Sequence, residues 1–344
     1  MPIPVSILDL SPIRQGADAT NAFQNSLDLA QHAEAWGYQR YWVAEHHNMP
    51  GIASSATSVL LAHLGAGTKT IRLGSGGIML PNHAPLVIAE QFGTLASLYP
   101  GRVELGLGRA PGTDQFTARA LRRTLSGDEN QFPRDVLELQ GYFAEAQAGQ
   151  HVQAVPGTGL KVPIWILGSS LFGAQLAAML GLPYAFASHF APAALMHAVE
   201  MYKTRFEPSE YLSEPYMMAG LNVFASDDEA HAQLIRSSSR QSTLRLRRGQ
   251  PGPLPPPDAG FEATLGIAER HMLDEHQQCS AVGTPAQVRE QMQAFVRQTG
   301  VDELMLNGNI YDHDARLRSF EIAAAGAAEV DAAVVAGALQ TSCA

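Results

Sequence analysis

The feature that most restricts this chain is a repeated alternation of short, nearly continuous apolar runs with longer segments of helical spacing. The apolar runs predict strands at residues 5–10, 40–44, 71–80, 103–108, 164–168, 184–188, 216–225 and 304–307. Runs with so little polar alternation suit parallel strands covered on both faces. Helical spacing falls between and after them, at residues 21–36, 54–65, 85–98, 134–146, 173–180, 192–205, 227–247 and 284–298. Eight alternations predict an α/β fold closed into a (β/α)8 TIM barrel, because closure removes both edge strands of an open sheet. Glycine stands where helices should stop, at Gly37 and Gly181. Thr284, Pro285 and Gln287 read as N-cap, first helical residue and capping box. Two stretches break the rhythm: residues 110–133 after the fourth strand, and the proline-rich GQPGPLPPPDAG between the seventh and eighth. Both read as rim insertions and candidate lids. The expected organisation is one barrel domain over residues 1–330 and an Ala-rich tail over 331–344, its start the end of a helix packed on the barrel or on a partner.

Composition excludes several classes. The formal net charge is −10 and no run of Lys and Arg occurs, so nothing here would neutralise many phosphates of a nucleic acid. Cys279 and Cys343 are too distant and too few for a disulfide framework, which points to a reducing cytoplasm. The opening MPIPVSILDLSPIRQG lacks the basic segment and apolar core of a signal peptide. No stretch reaches the ~18 apolar residues that a membrane span requires.

In a barrel of this kind, chemistry gathers at the C-terminal strand ends. The second strand ends in Glu45-His46-His47, where one imidazole can face the mouth and move protons near neutral pH. A zinc site drawing on His189 as well would fit none of the usual ligand spacings. After the fifth strand, Gly168-Ser169-Ser170 with Gly173 resembles an anion cradle at a helix start, and Arg109 closes the neighbouring strand with a guanidinium suited to phosphate. One phosphate held this way suits FMN, and a phosphosugar equally. Gly74-Ser75-Gly76-Gly77 inside a strand marks a bulge or a close approach of backbone to a flat ligand. No Gly-x-Gly-x-x-Gly opens a helix after the first strand, so a dinucleotide clamp is not indicated.

Four ordered segments resemble the bacterial-luciferase-like family of flavin-dependent monooxygenases. They are Tyr41 to His47, Gly74 to Pro81 with Pro85 beyond, Gly101 to Arg109, and Ile166 to Ser170. The resemblance implies reduced FMN over the barrel mouth and a small organic substrate. By position it implies a cis peptide at Gly76 and Gly77, phosphate held by Arg109, Gly168, Ser169, Ser170 and Gly173, and acid–base chemistry at His46 with Glu45 beside it. It leaves His47 and His189 to face substrate, a separate flavin reductase as supplier of electrons, and a homodimer formed through early barrel helices. Some related barrels use the deazaflavin F420, and His189 would then face that ring. Bacterial luciferase has a cysteine where this chain has Gly108 and an acid where it has Ser169, so luciferase's reactive-cysteine chemistry is not expected here.

Overall fold

The structure is a computed structural model that describes residues 2–109, 115–121 and 131–330. Nine parallel strands make up its sheet: β1 (Val5–Asp9), β2 (Arg40–Val43), β3 (Arg72–Met79), β4 (Val103–Gly108), β5 (Ile164–Gly168), β6 (Tyr184–Phe186), β7 (Met217–Ala225), β8 (Ser280–Gly283) and β9 (Glu303–Asn307). The order β6-β5-β4-β3-β2-β1-β9-β7 is closed by pairing of β6 with β7, so eight strands form the ring and the TIM barrel is confirmed. Twelve helices accompany them among the described residues: α1 (Ala19–Ala35), α2 (Thr57–Gly67), α3 (Pro85–Leu98), α4 (Gln115–Leu121), α5 (Gln131–Phe143), α6 (Leu171–Met179), α7 (Leu195–Arg205), α8 (Glu229–Arg247), α9 (Phe261–Thr264), α10 (Ile267–His276), α11 (Pro285–Thr299) and α12 (His313–Glu329). Among the described residues, no helix is long and apolar enough to cross a membrane.

The expected strand list omitted β8. The nine-residue β7 is longer than the ring needs. Its first part pairs with β9 over Met218–Asn222, while Asn222–Ala225 pairs with β8, which lies outside the ring. The connection between β7 and β9, in which the sequence placed two helices and the proline-rich insertion, holds α8, α9, α10, β8 and α11. The insertion expected after β4 ends earlier than residue 133: α5 starts at Gln131, because Pro133 in a first turn removes an N–H that has no helical partner anyway. Residues 110–114 and 122–130 of that insertion, and the tail 331–344, lie outside the described residues. The helix expected to end inside the Ala-rich stretch begins at His313, capped by the Asp312 side chain on the Ala315 N–H. At Thr284 the expected cap is present, with the Thr284 N–H donating to Gln287 Oε1 at 2.8 Å.

Side-chain alternation divides the core in two. Outward residues such as Ile7, Tyr41, Val43, Leu73 and Leu105 pack against the helices. Inward residues Leu8, Trp42, Trp165, Ala185, Met218 and Met305 fill the barrel. Trp42 and Trp165 meet edge to face at 5.3 Å. Beneath them lies a buried polar ring: Arg40 pairs with Glu104 at 2.8 Å and with Glu303, which also accepts from the Ser6 and Tyr216 hydroxyls.

A second buried ion pair fastens the chain's end to its beginning. Asp9, fully buried at the end of β1, accepts from Arg316 Nη2 of α12 at 2.6 Å, from the Ser26 hydroxyl of α1 at 2.5 Å, and from the Tyr41 hydroxyl of β2 at 2.6 Å. Burial alone would raise the Asp9 carboxyl, but the Arg316 charge and these hydrogen bonds hold it below the ordinary carboxylate range. Replacing Arg316 with Met leaves that carboxylate buried without a counter-charge. The expected cost is about 3–5 kcal/mol, read as a lower denaturation midpoint in urea; an unchanged midpoint would show that the hydroxyls alone suffice.

Candidate active site at the barrel mouth

Two residues beyond Trp42 the chain carries Ala44, and two beyond Met218 it carries Gly220, while β3 and β4 have glycine at both levels, Gly74 and Gly76, Gly106 and Gly108. The barrel is thus filled by tryptophan and methionine at mid-height and carries small residues nearer the mouth, where Leu8, Met79 and His189 occupy the space beside Gly76, Gly108 and Gly220.

The glycines of β3 have a packing reason of their own. A Cβ at Gly74 would fall 2.4 Å from Trp42 Nε1, one at Gly76 2.5 Å from Leu8 Cδ1, and one at Gly77 2.7 Å from the Gly106 carbonyl oxygen. The register between β3 and β4 shifts between Ser75 and Ile78, and the Gly76–Gly77 peptide is cis. The register shift is the expected irregularity in the strand, and the close approaches at these glycines are to Trp42, Leu8 and the Gly106 carbonyl.

Between β4 and β5 the rim is cationic. Arg109 stacks its guanidinium on Phe172 of α6, with Cζ 4.1 Å from the ring centroid. Ser169 and Ser170 are exposed, and Ser170 stands at the N-cap of α6 without spending its hydroxyl on a cap hydrogen bond. Gly168 and Gly173 let strand end and helix start meet, since a Cβ on either would come within 3.4 Å of the other's Cα. The Tyr184 hydroxyl donates to the Ser170 carbonyl at 3.3 Å and pins the turn. Phe172 was not singled out from the sequence; an aromatic near a helix start reads as ordinary core.

At the end of β2, Glu45 is buried and fully engaged. Its Oε1 is 2.8 Å from His47 Nε2 and 2.9 Å from His83 Nε2, and Oε2 accepts from the Met79 N–H at 3.0 Å. Burial opposes its ionisation, yet hydrogen bonds and charge from His83, with His47 and Met79, hold the carboxyl below its usual range. The expected partnership of Glu45 with His46 is not made: adjacent side chains diverge, and Glu45 serves His47 and His83 instead. His83 escaped the sequence reading, and only the prolines on either side of its turn, Pro81 and Pro85, hinted at a fixed loop. His46 keeps its Nδ1 buried without a protein partner. Burial lowers its imidazole, Glu45 raising it and His47 lowering it further.

His189, after β6, lies inside the mouth. A Cβ at inward-facing Gly220 would strike its Nδ1 at 2.0 Å, so the imidazole covers the space that glycine leaves. Its Nδ1 is likewise buried without a partner. Burial, then the nearby His276 and His46, push it down to about 4. Phe190 beside it meets His276 edge on at 5.6 Å. The β7–β9 connection is moored across the mouth, with Leu254 exchanging backbone hydrogen bonds with Ile13 and Gln15 at 2.8 and 2.9 Å. Among the described residues, no three His, Cys, Asp or Glu side chains are grouped to hold a metal.

The structure is thus an eight-stranded α/β barrel with Arg109 and two exposed serines on one part of its rim and buried imidazoles at its mouth. The family described as luciferase-like monooxygenase matches residues 3–303. The chain belongs to that luciferase-like monooxygenase family, and it is an oxidoreductase. A luciferase-like monooxygenase of Escherichia coli is 54% identical over 321 residues, covering 93% of this chain and 96% of that protein. An N-acetyl-S-alkylcysteine monooxygenase of Bacillus subtilis is 42% identical over 189 residues, 54% of this chain and 57% of its own length. The structure of apo-MsnO8 superposes with a TM-score of 0.89 at 32% identity, covering 96% of this chain and 99% of its own. Two more distant barrels share the fold: the oxygenating constituent of a 3,6-diketocamphane monooxygenase of Pseudomonas putida, in complex with FMN, covers 95% of this chain and 98% of its own at TM-score 0.71 and 18% identity. An F420-dependent secondary alcohol dehydrogenase with an F420–acetone adduct covers 95% and 99% at TM-score 0.66 and 15% identity.

The depressed His189 value has a definite sign. The unfolded chain binds a proton at His189 below about pH 6.5 and the folded chain only below about 4, so stability falls as pH drops through that window and is unaffected above it. Replacing His189 with Phe should flatten the loss of stability between pH 7 and pH 5, measured by chemical denaturation of the flavin-free protein. An equally steep loss in the variant would remove His189 as its cause.

Proposed function

We propose that this protein is an FMN-dependent monooxygenase that oxidises a small organic molecule with dioxygen. The observation that carries the reading is the Arg109–Phe172 stack beside the uncapped hydroxyls of Ser169 and Ser170. A guanidinium held by an aromatic ring, two free hydroxyls and the N–H groups of a helix start suit one phosphate. The fit extends to the mouth, where Ala44, Gly76, Gly108 and Gly220 are the small inward residues above Trp42 and Met218, and the Nδ1 atoms of His46 and His189 are buried without partners. When bound, reduced FMN would supply the electrons that activate dioxygen.

The chain's own residues then have distinct tasks. Arg109, Ser169, Ser170 and the turn between Gly168 and Gly173 hold the phosphate. Gly76 and Gly77, which carry no side chain at this end of β3, would let a flat cofactor approach the backbone. His46, lowered by burial and therefore neutral near pH 7, offers one donor and one acceptor toward cofactor or substrate. His47 and His189 border the substrate side, and the moored β7–β9 connection excludes water. The relatives' monooxygenase names support use of oxygen. On the same reading a separate reductase reduces the flavin, and two cytoplasmic copies associate through α2 and α3, which expose Val59 and Leu98.

FMN and F420 titrated separately, followed by absorbance, test the cofactor. Tight binding of FMN with oxygen uptake once it is reduced is expected; binding of F420 alone would reverse the assignment in favour of hydride transfer. Arg109→Ala should weaken FMN binding by about tenfold to a hundredfold, the worth of a charge-assisted contact, while leaving the fold intact.

A further inference from the structure

The ladder between β6 and β7 stops early. Its register runs only from Tyr184 opposite Met217 to Phe186 opposite Ala219. Beyond it two buried side chains take over from the backbone. The Ser188 hydroxyl donates to the Gly220 carbonyl at 2.6 Å, and the Asn222 amide donates to the His189 carbonyl at 2.9 Å. Asn222 stands where β7 leaves β9 for β8, and its amide also reaches the Cys279 carbonyl at 3.4 Å. Residues 188 and 189 are therefore fastened to β7 at Gly220 and again two residues later.

That fastening decides where the imidazole lies. Gly220 points inward, as Met218 does two residues before it. A Cβ at Gly220 would fall 2.0 Å from His189 Nδ1, 2.9 Å from Cγ and 3.0 Å from Cε1. The ring thus turns its Nδ1 corner to the β7 wall and its Cδ2–Nε2 edge away from that wall. Nδ1 is enclosed without a partner, while the residue as a whole is only half-buried. A hydrogen on Nδ1 would be a buried donor lacking an acceptor. A lone pair there costs less, and it puts the hydrogen on Nε2.

We propose that His189 Nε2–H is the donor that receives the substrate, that the substrate offers it an uncharged acceptor such as a carbonyl oxygen, and that Ser188 and Asn222 are the positioning residues of the ring. This rests on the flavin reading above and names a substrate class for the same site. Charge supports it as well as direction. Enclosure keeps the imidazole neutral near pH 7, and the nearby His46 and His276 are lowered by burial too. On the flavin reading, Arg109 serves the phosphate. A carboxylate brought against a neutral imidazole would give up its hydration with no counter-charge. A carbonyl gives up far less and gains one directed hydrogen bond.

Two experiments test this. In the flavin-free protein, side-chain 15N spectra should show His189 in the Nε2–H form. Gly220→Ala displaces only a side chain, because the atoms nearest its Cβ belong to the imidazole. It should move the His189 ring signals, as should Asn222→Ala. Signals unmoved by Gly220→Ala, or an Nδ1–H form, overturn the positioning. In the FMN-loaded protein, cyclohexanone, methylcyclohexane and cyclohexanecarboxylate are titrated and followed by flavin absorbance. These share a ring and differ in the group they present. The ketone should bind at least about tenfold more tightly than either of the others. His189→Phe and Gly220→Ala should each abolish that preference, and Gly220→Ala added to His189→Ala should change nothing further. A ketone that binds no better than the hydrocarbon, tightest binding of the carboxylate, or a preference that survives His189→Phe overturns the substrate assignment. An equal loss of FMN affinity in His189→Phe gives the donor to the flavin and overturns it too. If the unaltered protein fails to bind FMN, the flavin reading falls and the substrate assignment falls with it. The spectra recorded without flavin still decide whether Ser188 and Asn222 hold the ring.

Discussion

Closure of the ring is the constraint on which the rest depends. Parallel strands leave unpaired backbone at each edge of an open sheet, and here β6 meets β7 while β1 meets β9, so no ring strand keeps a free edge. Closure points half of every strand's side chains into a narrow interior, which must then be filled. The chain fills it unevenly: charged groups joined to one another at the bottom, aromatic and methionine bulk in the middle, and glycine and alanine at the top. The site follows from that gradient. A barrel packed with large residues to its rim would be as stable and would have no mouth.

The join between β1 and β9 is reinforced from outside by Asp9 and Arg316. Their pairing also gathers Ser26 and Tyr41, so α1, β2 and α12 are fixed around the first strand. This places a buried charge where the chain's two ends meet. Such a pair is costly to desolvate and costlier to break, which makes it a lock on register more than a source of net stability.

The ring was legible in the sequence because strands buried on both faces leave apolar runs that local reading detects. β8 was not, because Ser280–Gly283 is a short run that becomes a strand only where β7 overshoots the rim to offer it a partner. The same division holds at the site. Arg109, Ser169 and Ser170 were legible as polar residues at the ends of β4 and β5, where the structure places them. The diglycine was legible as an anomaly, though the side chains that fill its space, Trp42 and Leu8, belong to other strands. His83 was hidden since its meaning lies in Glu45, 38 residues earlier, and no local pattern links them. Glu45 adjoins His46 in sequence, yet its side-chain hydrogen bonds go to His47 and His83, which neighbouring positions in the chain do not reveal.

The mooring of the β7–β9 connection has a consequence for how such a protein changes over generations. The residues proposed to hold a phosphate stand on β4, β5 and the start of α6, whereas the connection after β7 touches the loop after β1 through Leu254 and the loop after β6 through the Phe190–His276 contact. On that proposal, replacing the proline-rich segment would alter what the mouth admits while the proposed anchorage keeps its residues. Selection for a new cargo could then work on the covering without renegotiating the anchorage.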